Sequence, residues 1–124
     1  MPKLDHLTIR VGDLDLARGW YVEQLGLRVE FEVPDRRTVA LQDDAELTLF
    51  LVETTGRLDA EGVALTFQVE DVENTHRRLA PKGVPFVSPP ARRFWGYGAE
   101  LLDPDGHLIY LWDPVSMREK GGTA

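Results

Sequence analysis

The chain has 124 residues, no cysteine, and 21 acidic against 14 basic side chains, for a formal charge of −7. That length sets one domain, residues 1–124, with a core that needs no staples. The missing cysteines exclude a disulfide framework, a thiolate metal site and a thiol nucleophile, and the acidic balance weighs against nucleic acid, which is bound through clustered Lys and Arg.

Residues 4–11 alternate: Leu7, Ile9 and Val11 share one face, His6, Thr8 and Arg10 the other. Side chains on a strand alternate faces, so this strand has one apolar and one polar side. Asp13 suits a helix N-cap, and Leu14, Ala17, Tyr21 and Leu25 follow at helical spacing, with Gly26 as the stop. Leu27 to Val33 reads as a strand and Pro34-Asp35 as a turn; Arg37 to Leu41 and Glu46 to Val52 read as two further strands around Gln42-Asp43-Asp44. Thr54 to Glu61 is polar, contains Gly56, and reads as a linker.

The plan then repeats. Leu7-Thr8, Val11, Asp13 and Leu14 recur fifty-eight positions on as Leu65-Thr66, Val69, Asp71 and Val72. A repeat of about half the chain means two similar modules, about residues 3–53 and 62–114. Val63, Leu65, Phe67 and Val69 form the apolar face of the second opening strand, opposite Ala64, Thr66 and Gln68. Asp71 caps a helix carrying Val72, Thr75 and Leu79, ended by Pro81 and Gly83. Val84 to Val87 reads as a short strand broken by Ser88-Pro89-Pro90, and Trp95-Gly96-Tyr97-Gly98 as a glycine-flanked aromatic loop. Glu100 to Leu102 leads into Asp103-Pro104-Asp105-Gly106, which fits a type I turn, and His107 to Trp112 is the last strand. The polar tail from Pro114 is expected to fray.

The expected architecture is therefore α+β: two βαβββ modules whose curved mixed sheet surrounds a cleft, with helices on the outer face. His6, Thr8 and Arg10 face that cleft from one module, as do Glu46, Thr48 and Phe50; Leu108, Tyr110 and Trp112 do so from the other. An Arg in a cleft needs a carboxylate, which Glu100 or a ligand would supply. No stretch approaches the roughly 20 apolar residues that span a bilayer. The opening residues hold no apolar run of signal-peptide length, so a cytoplasmic protein with no membrane partner is expected.

Leu4-Asp5-His6-Leu7, Phe67-Gln68-Val69-Glu70-Asp71-Val72, Trp95-Gly96-Tyr97 and Leu102-Asp103-Pro104-Asp105-Gly106-His107-Leu108-Ile109 resemble the vicinal oxygen chelate superfamily. That family includes glyoxalase I, bleomycin resistance proteins and extradiol dioxygenases. The resemblance implies one divalent metal in the cleft, held by His and Glu from the opening and fourth strands of each module. Carried over residue by residue, His6 matches a ligand position; Ala64 stands where the metal enzymes commonly have His, and Tyr110 where they have Glu. Glu46 or Thr48 fills the remaining position. One His and one Glu fall short of a catalytic set, so no cofactor is expected; His6 and Glu46 are the ligands if a metal binds.

What remains is an aromatic wall: Phe50, Phe94, Trp95, Tyr97, Tyr110 and Trp112, joined by His6, Arg10 and Thr48. Flat aromatic rings suit a planar or cationic organic ligand. By resemblance to bleomycin resistance proteins, the expected function is sequestration of an antibiotic or other small organic ligand by a homodimer. The alternative is a metal-dependent lyase, isomerase or dioxygenase of the superfamily, with His6 as the candidate catalytic residue.

Overall fold

The computed structural model describes residues 5–56 and 63–122. It divides into two compact units, Met1–Ala60 and Glu61–Ala124.

The first unit runs β1 (His6–Val11), α1 (Leu14–Leu25), β2 (Arg28–Val33), β3 (Thr38–Gln42) and β4 (Thr48–Glu53). Its sheet has the order β1-β4-β3-β2, with β1 parallel to β4 and the other pairs antiparallel. The helix starts where the Asp13 carboxylate accepts from the Leu16 amide at 3.1 Å. It stops at Gly26, whose φ of 74° is the left-handed turn that glycine adopts without strain. Leu14, Ala17 and Tyr21 are buried with Ile9 and Val11 of β1, Val39 and Leu41 of β3, and Leu49 and Leu51 of β4. That is the apolar parity of each strand turned to one side. The opposite parity pairs His6 with Thr48, Thr8 with Phe50 and Arg10 with Val52.

The second unit repeats the connection as β5 (Ala64–Gln68), α2 (Val72–Leu79), β6 (Phe86–Arg93), β7 (Gly96–Leu102) and β8 (Leu108–Trp112), in the order β5-β8-β7-β6. The Asp71 carboxylate caps α2 by accepting from Asn74 at 3.1 Å, and Val72, Thr75 and Leu79 are buried, as expected. Leu65, Leu101, Ile109 and Leu111 complete that core.

The internal repeat extends to a device the sequence does not advertise. In each unit a carboxylate at or just after the last strand holds the first amide of the helix. Glu53 accepts from Leu14 at 2.9 Å, and Asp113 accepts from Val72 at 2.7 Å. The Glu53 carboxylate also accepts from Arg37 at 2.9 and 3.0 Å. The Arg37 hydrogen bonds, then the Leu14 amide, hold its pKa down at about 2.

Four expectations need correction. Glu46 is not in a strand. The Asp43 carboxylate accepts from the amides of Ala45 (2.9 Å) and Leu47 (2.8 Å), so the chain turns there, Glu46 takes φ 66°, and β4 begins at Thr48. Pro89-Pro90 does not end β6, which continues to Arg93. It is an edge strand, where proline's missing amide is tolerated, and the pairing with β7 shifts register on either side of Ser88. The aromatic loop is shorter than expected: Arg93 pairs with Gly96, the turn is Phe94-Trp95 alone, and Tyr97 and Gly98 belong to β7. The tail forms a helix, α3 (Pro114–Lys120), capped by Asp113, whose carboxylate accepts from Ser116 at 2.7 Å. Most of the expected linker lies outside the described residues. No helix among the described residues is long and apolar enough to cross a membrane.

Candidate functional site

The polar side of the first unit's sheet holds a concavity of about 700 Å³. An aromatic row crosses it. The His6 ring meets Phe50 edge-on, centroids 4.7 Å apart, and Phe50 meets Phe31 the same way at 5.7 Å. Phe31 and Phe50 are both in register with Ala40, whose small side chain is fully buried between their strands. Three carboxylates, Asp5, Glu30 and Glu46, share the walls, and no Lys or Arg is among the lining residues. Thr48 Oγ1 donates to Glu30 Oε1 at 2.8 Å, which fixes that carboxylate at the strand position facing His6. His6 Nδ1 lies 3.0 Å from Asp5 Oδ2.

Such a space attracts positive charge. The carboxylates supply a negative potential, and the faces of Phe31 and Phe50 favour a cation lying over them. Glu30 and Phe31 were not legible from alternation, which sends neighbours to opposite faces. A register shift between Val29 and Phe31 brings both onto this wall. Arg10 is exposed and lies outside the lining; Glu100, suggested as its partner, instead has its Oε2 at 3.7 Å from Arg93 Nε.

In the second unit Trp95 meets Tyr110 edge-on at 5.6 Å. It also covers Gly98: a Cβ there would fall 2.5 Å from the indole and 2.2 Å from the Leu111 carbonyl oxygen. Gly98→Ala is expected to lower stability by about 2 kcal/mol, because the backbone contact with β8 cannot yield. It should also change the near-ultraviolet dichroism of the Trp95–Tyr110 pair, measured alongside thermal unfolding.

Tyr97 separates from this group. Its hydroxyl donates to Glu73 of α2, and Lys120 of α3 lies 5.2 Å from its ring centroid and 3.4 Å from Glu73. The Glu73 hydrogen bond, then burial, pushes the phenol up to about 12, so it stays neutral. Tyr97 therefore ties β7 to the helices, whereas Trp95 and Tyr110 meet on the sheet's other side. Trp112 is half-buried opposite Gln68, and Phe94 stands fully exposed in the turn between β6 and β7.

The strand positions that the family resemblance assigns to a metal can now be read from the register. His6 faces Thr48, Ala64 faces Leu108, and Tyr110 faces Thr66. Glu46 shares the concavity with His6 but sits in the preceding turn. Of these positions, only His6 carries a ready ligand on a strand. Among the described residues, the three His or acidic groups within 4.8 Å of one another are Asp103, Asp105 and His107, in the β7–β8 turn. There Asp103 already accepts from the amides of Asp105 (2.9 Å) and His107 (2.7 Å) and pairs with His107 Nδ1 at 2.7 Å. These bonds build the turn, as its Asp-Pro-Asp-Gly sequence implies, and the group does not coincide with the family's strand positions.

Two βαβββ units, each with a four-stranded mixed sheet, define a protein of paired-module architecture. The profile of the Glyoxalase/Bleomycin resistance protein/Dioxygenase superfamily matches residues 3–111, and the chain belongs to that superfamily. Among solved structures it is similar to UcmS2, at 29% identity with a TM-score of 0.72 over 90% of this chain and 97% of that one. It is also similar to a superfamily member from Sphaerobacter thermophilus DSM 20745, at 25% identity, TM-score 0.76, covering 91% and 98%. A lactoylglutathione lyase from Agrobacterium tumefaciens shares the fold at 19% identity, TM-score 0.72, over 90% and 93%. No curated protein matches the sequence.

Proposed function

We propose that this protein binds a planar, positively charged organic molecule in the first unit's concavity and sequesters it without a catalytic metal. The observation that carries the reading is the lining itself: Phe31 and Phe50 beside the carboxylates of Asp5, Glu30 and Glu46, with no basic side chain except His6. A volume of about 700 Å³ suits a drug-sized ligand. Thr48, Ala64 and Tyr110 at the family's ligand positions support the metal-free part. The antibiotic class, cytoplasmic action and a homodimeric state complete the proposal by analogy with bleomycin resistance proteins.

The test is calorimetric titration with 9-aminoacridinium, a planar aromatic cation. Phe50→Ala should weaken binding at least tenfold through lost stacking, and Glu30→Gln should weaken it less and reduce its salt dependence. Equal affinity in both variants would place any binding elsewhere.

A metal-dependent enzyme is the second reading. His6 at a family ligand position, in one concavity with Glu46, favours it. Under that reading His6→Ala abolishes both metal binding and turnover.

A further inference from the structure

We propose that the second unit carries a separate binding site for a planar organic anion, between the β6–β7 turn and α3. The space is about 510 Å³, and Arg92, Arg93, Trp95 and Met117 are among the residues that line it. No carboxylate is among the lining residues. The charge is thus the reverse of the first unit's concavity, and the inference stands whether or not that concavity binds a cation.

The walls are held in place. Trp95 is fixed between Tyr110, at 5.6 Å, and the backbone at Gly98. Met117 Sδ fills the space that Gly96 leaves open, where a Cβ would come within 2.1 Å of it, and it accepts from the Tyr97 amide at 3.4 Å. Arg92 packs against Gly122, whose φ of 69° and lack of a side chain admit the guanidinium.

Arg93 supplies the recognition. Its Nε is buried and has no hydrogen-bond partner among the described residues. Glu100 Oε2 lies 3.7 Å away, near enough to pair in charge and too far for a hydrogen bond. The planar guanidinium fork matches a carboxylate or sulfonate, while the indole stacks on the rest of a flat ligand. A volume near 510 Å³ admits one or two fused rings with an acidic group.

The test uses the full chain, titrated by calorimetry with naphthalene-2-carboxylate and with naphthalene-2-carboxamidine, which has the same shape and the opposite charge. Binding is located through the Trp95 indole N–H resonance, assigned with Trp95→Phe. The carboxylate should bind and shift that resonance, and Arg93→Gln should weaken it about tenfold. Glu100→Gln, which removes the competing carboxylate, should tighten it several-fold, a change that mere loss of structure would not produce. Unchanged or weaker binding in Glu100→Gln would overturn the proposal. So would unchanged affinity in Arg93→Gln, or an amidine that moves the Trp95 resonance as the carboxylate does.

Discussion

Replacing His107 by alanine is expected to destabilise the protein by about 4 kcal/mol, the scale for breaking a buried ion pair. His107 is 2% exposed and Asp103 4% exposed, and the pair is joined at 2.7 Å within the turn that leads into β8. Removing the imidazole takes the strongest partner from a carboxylate with little access to water. The effect should depend on pH, and its sign follows from the pair. The Asp103 hydrogen bond, acting against burial, raises the His107 pKa above its ordinary 6.5. Stabilisation by the charged pair is then full below about pH 6.5 and is lost as pH rises through the folded value. The gap between wild type and His107→Ala should be widest near pH 6 and narrow in alkaline solution. A gap that widens with pH in chemical denaturation would refute this account of the turn.

Asp113→Ala is the second large effect, expected at about 3 kcal/mol, or roughly a 10 °C fall in melting temperature for a chain of this size. One buried carboxylate serves two helices. It accepts from Val72 at the start of α2 and from Ser116 in the first turn of α3, both at 2.7 Å. Burial opposes its ionisation, but the amides of Ser116 and Val72, with the Ser116 hydroxyl and the Val115 amide, outweigh it and hold the pKa below its ordinary value of 3.8. A depressed carboxyl stabilises above its unfolded pKa, and that stability is lost as pH falls through the folded value. Asp113→Asn should therefore lose part of the stability at neutral pH and show a flatter decline below about pH 4. Thermal melts from pH 7 to pH 2 read both effects. A variant that melts with wild type at pH 7 would show that the two helix ends are held by other means.

The same residues show how far sequence reasoning reaches. Asp13, Gly26 and Asp71 act locally, through amides within a turn of themselves, so their roles could be read from neighbours in the chain. Strand parity likewise placed Ile9 and Val11 on the apolar side and His6, Thr48 and Phe50 on the other. What failed depends on partners far along the chain. Pro89-Pro90 reads as a break unless the strand is known to lie at an edge. Glu30 and Phe31 share a wall only because of a register shift that alternation cannot foresee. Tyr97 and Trp95 look like one aromatic loop, yet the two-residue turn sends them to opposite faces of β7. The α3 helix did have a local signature, Asp113 followed by Pro114 at the first helical position, overshadowed by the polar Gly-Gly ending.

The most direct test of the proposed metal-free, cation-accepting concavity is one melting series on metal-stripped protein. It compares Mg, Mn, Co, Ni and Zn with 9-aminoacridinium, in wild type, Phe50→Ala and His6→Ala. A ligand at about a hundred times its dissociation constant adds nearly 3 kcal/mol, or roughly 10 °C here. An upward shift with the organic cation that Phe50→Ala removes is expected, and no shift with any of the metal ions. A clear shift with one metal ion that disappears in His6→Ala would contradict the metal-free reading and restore the metalloenzyme.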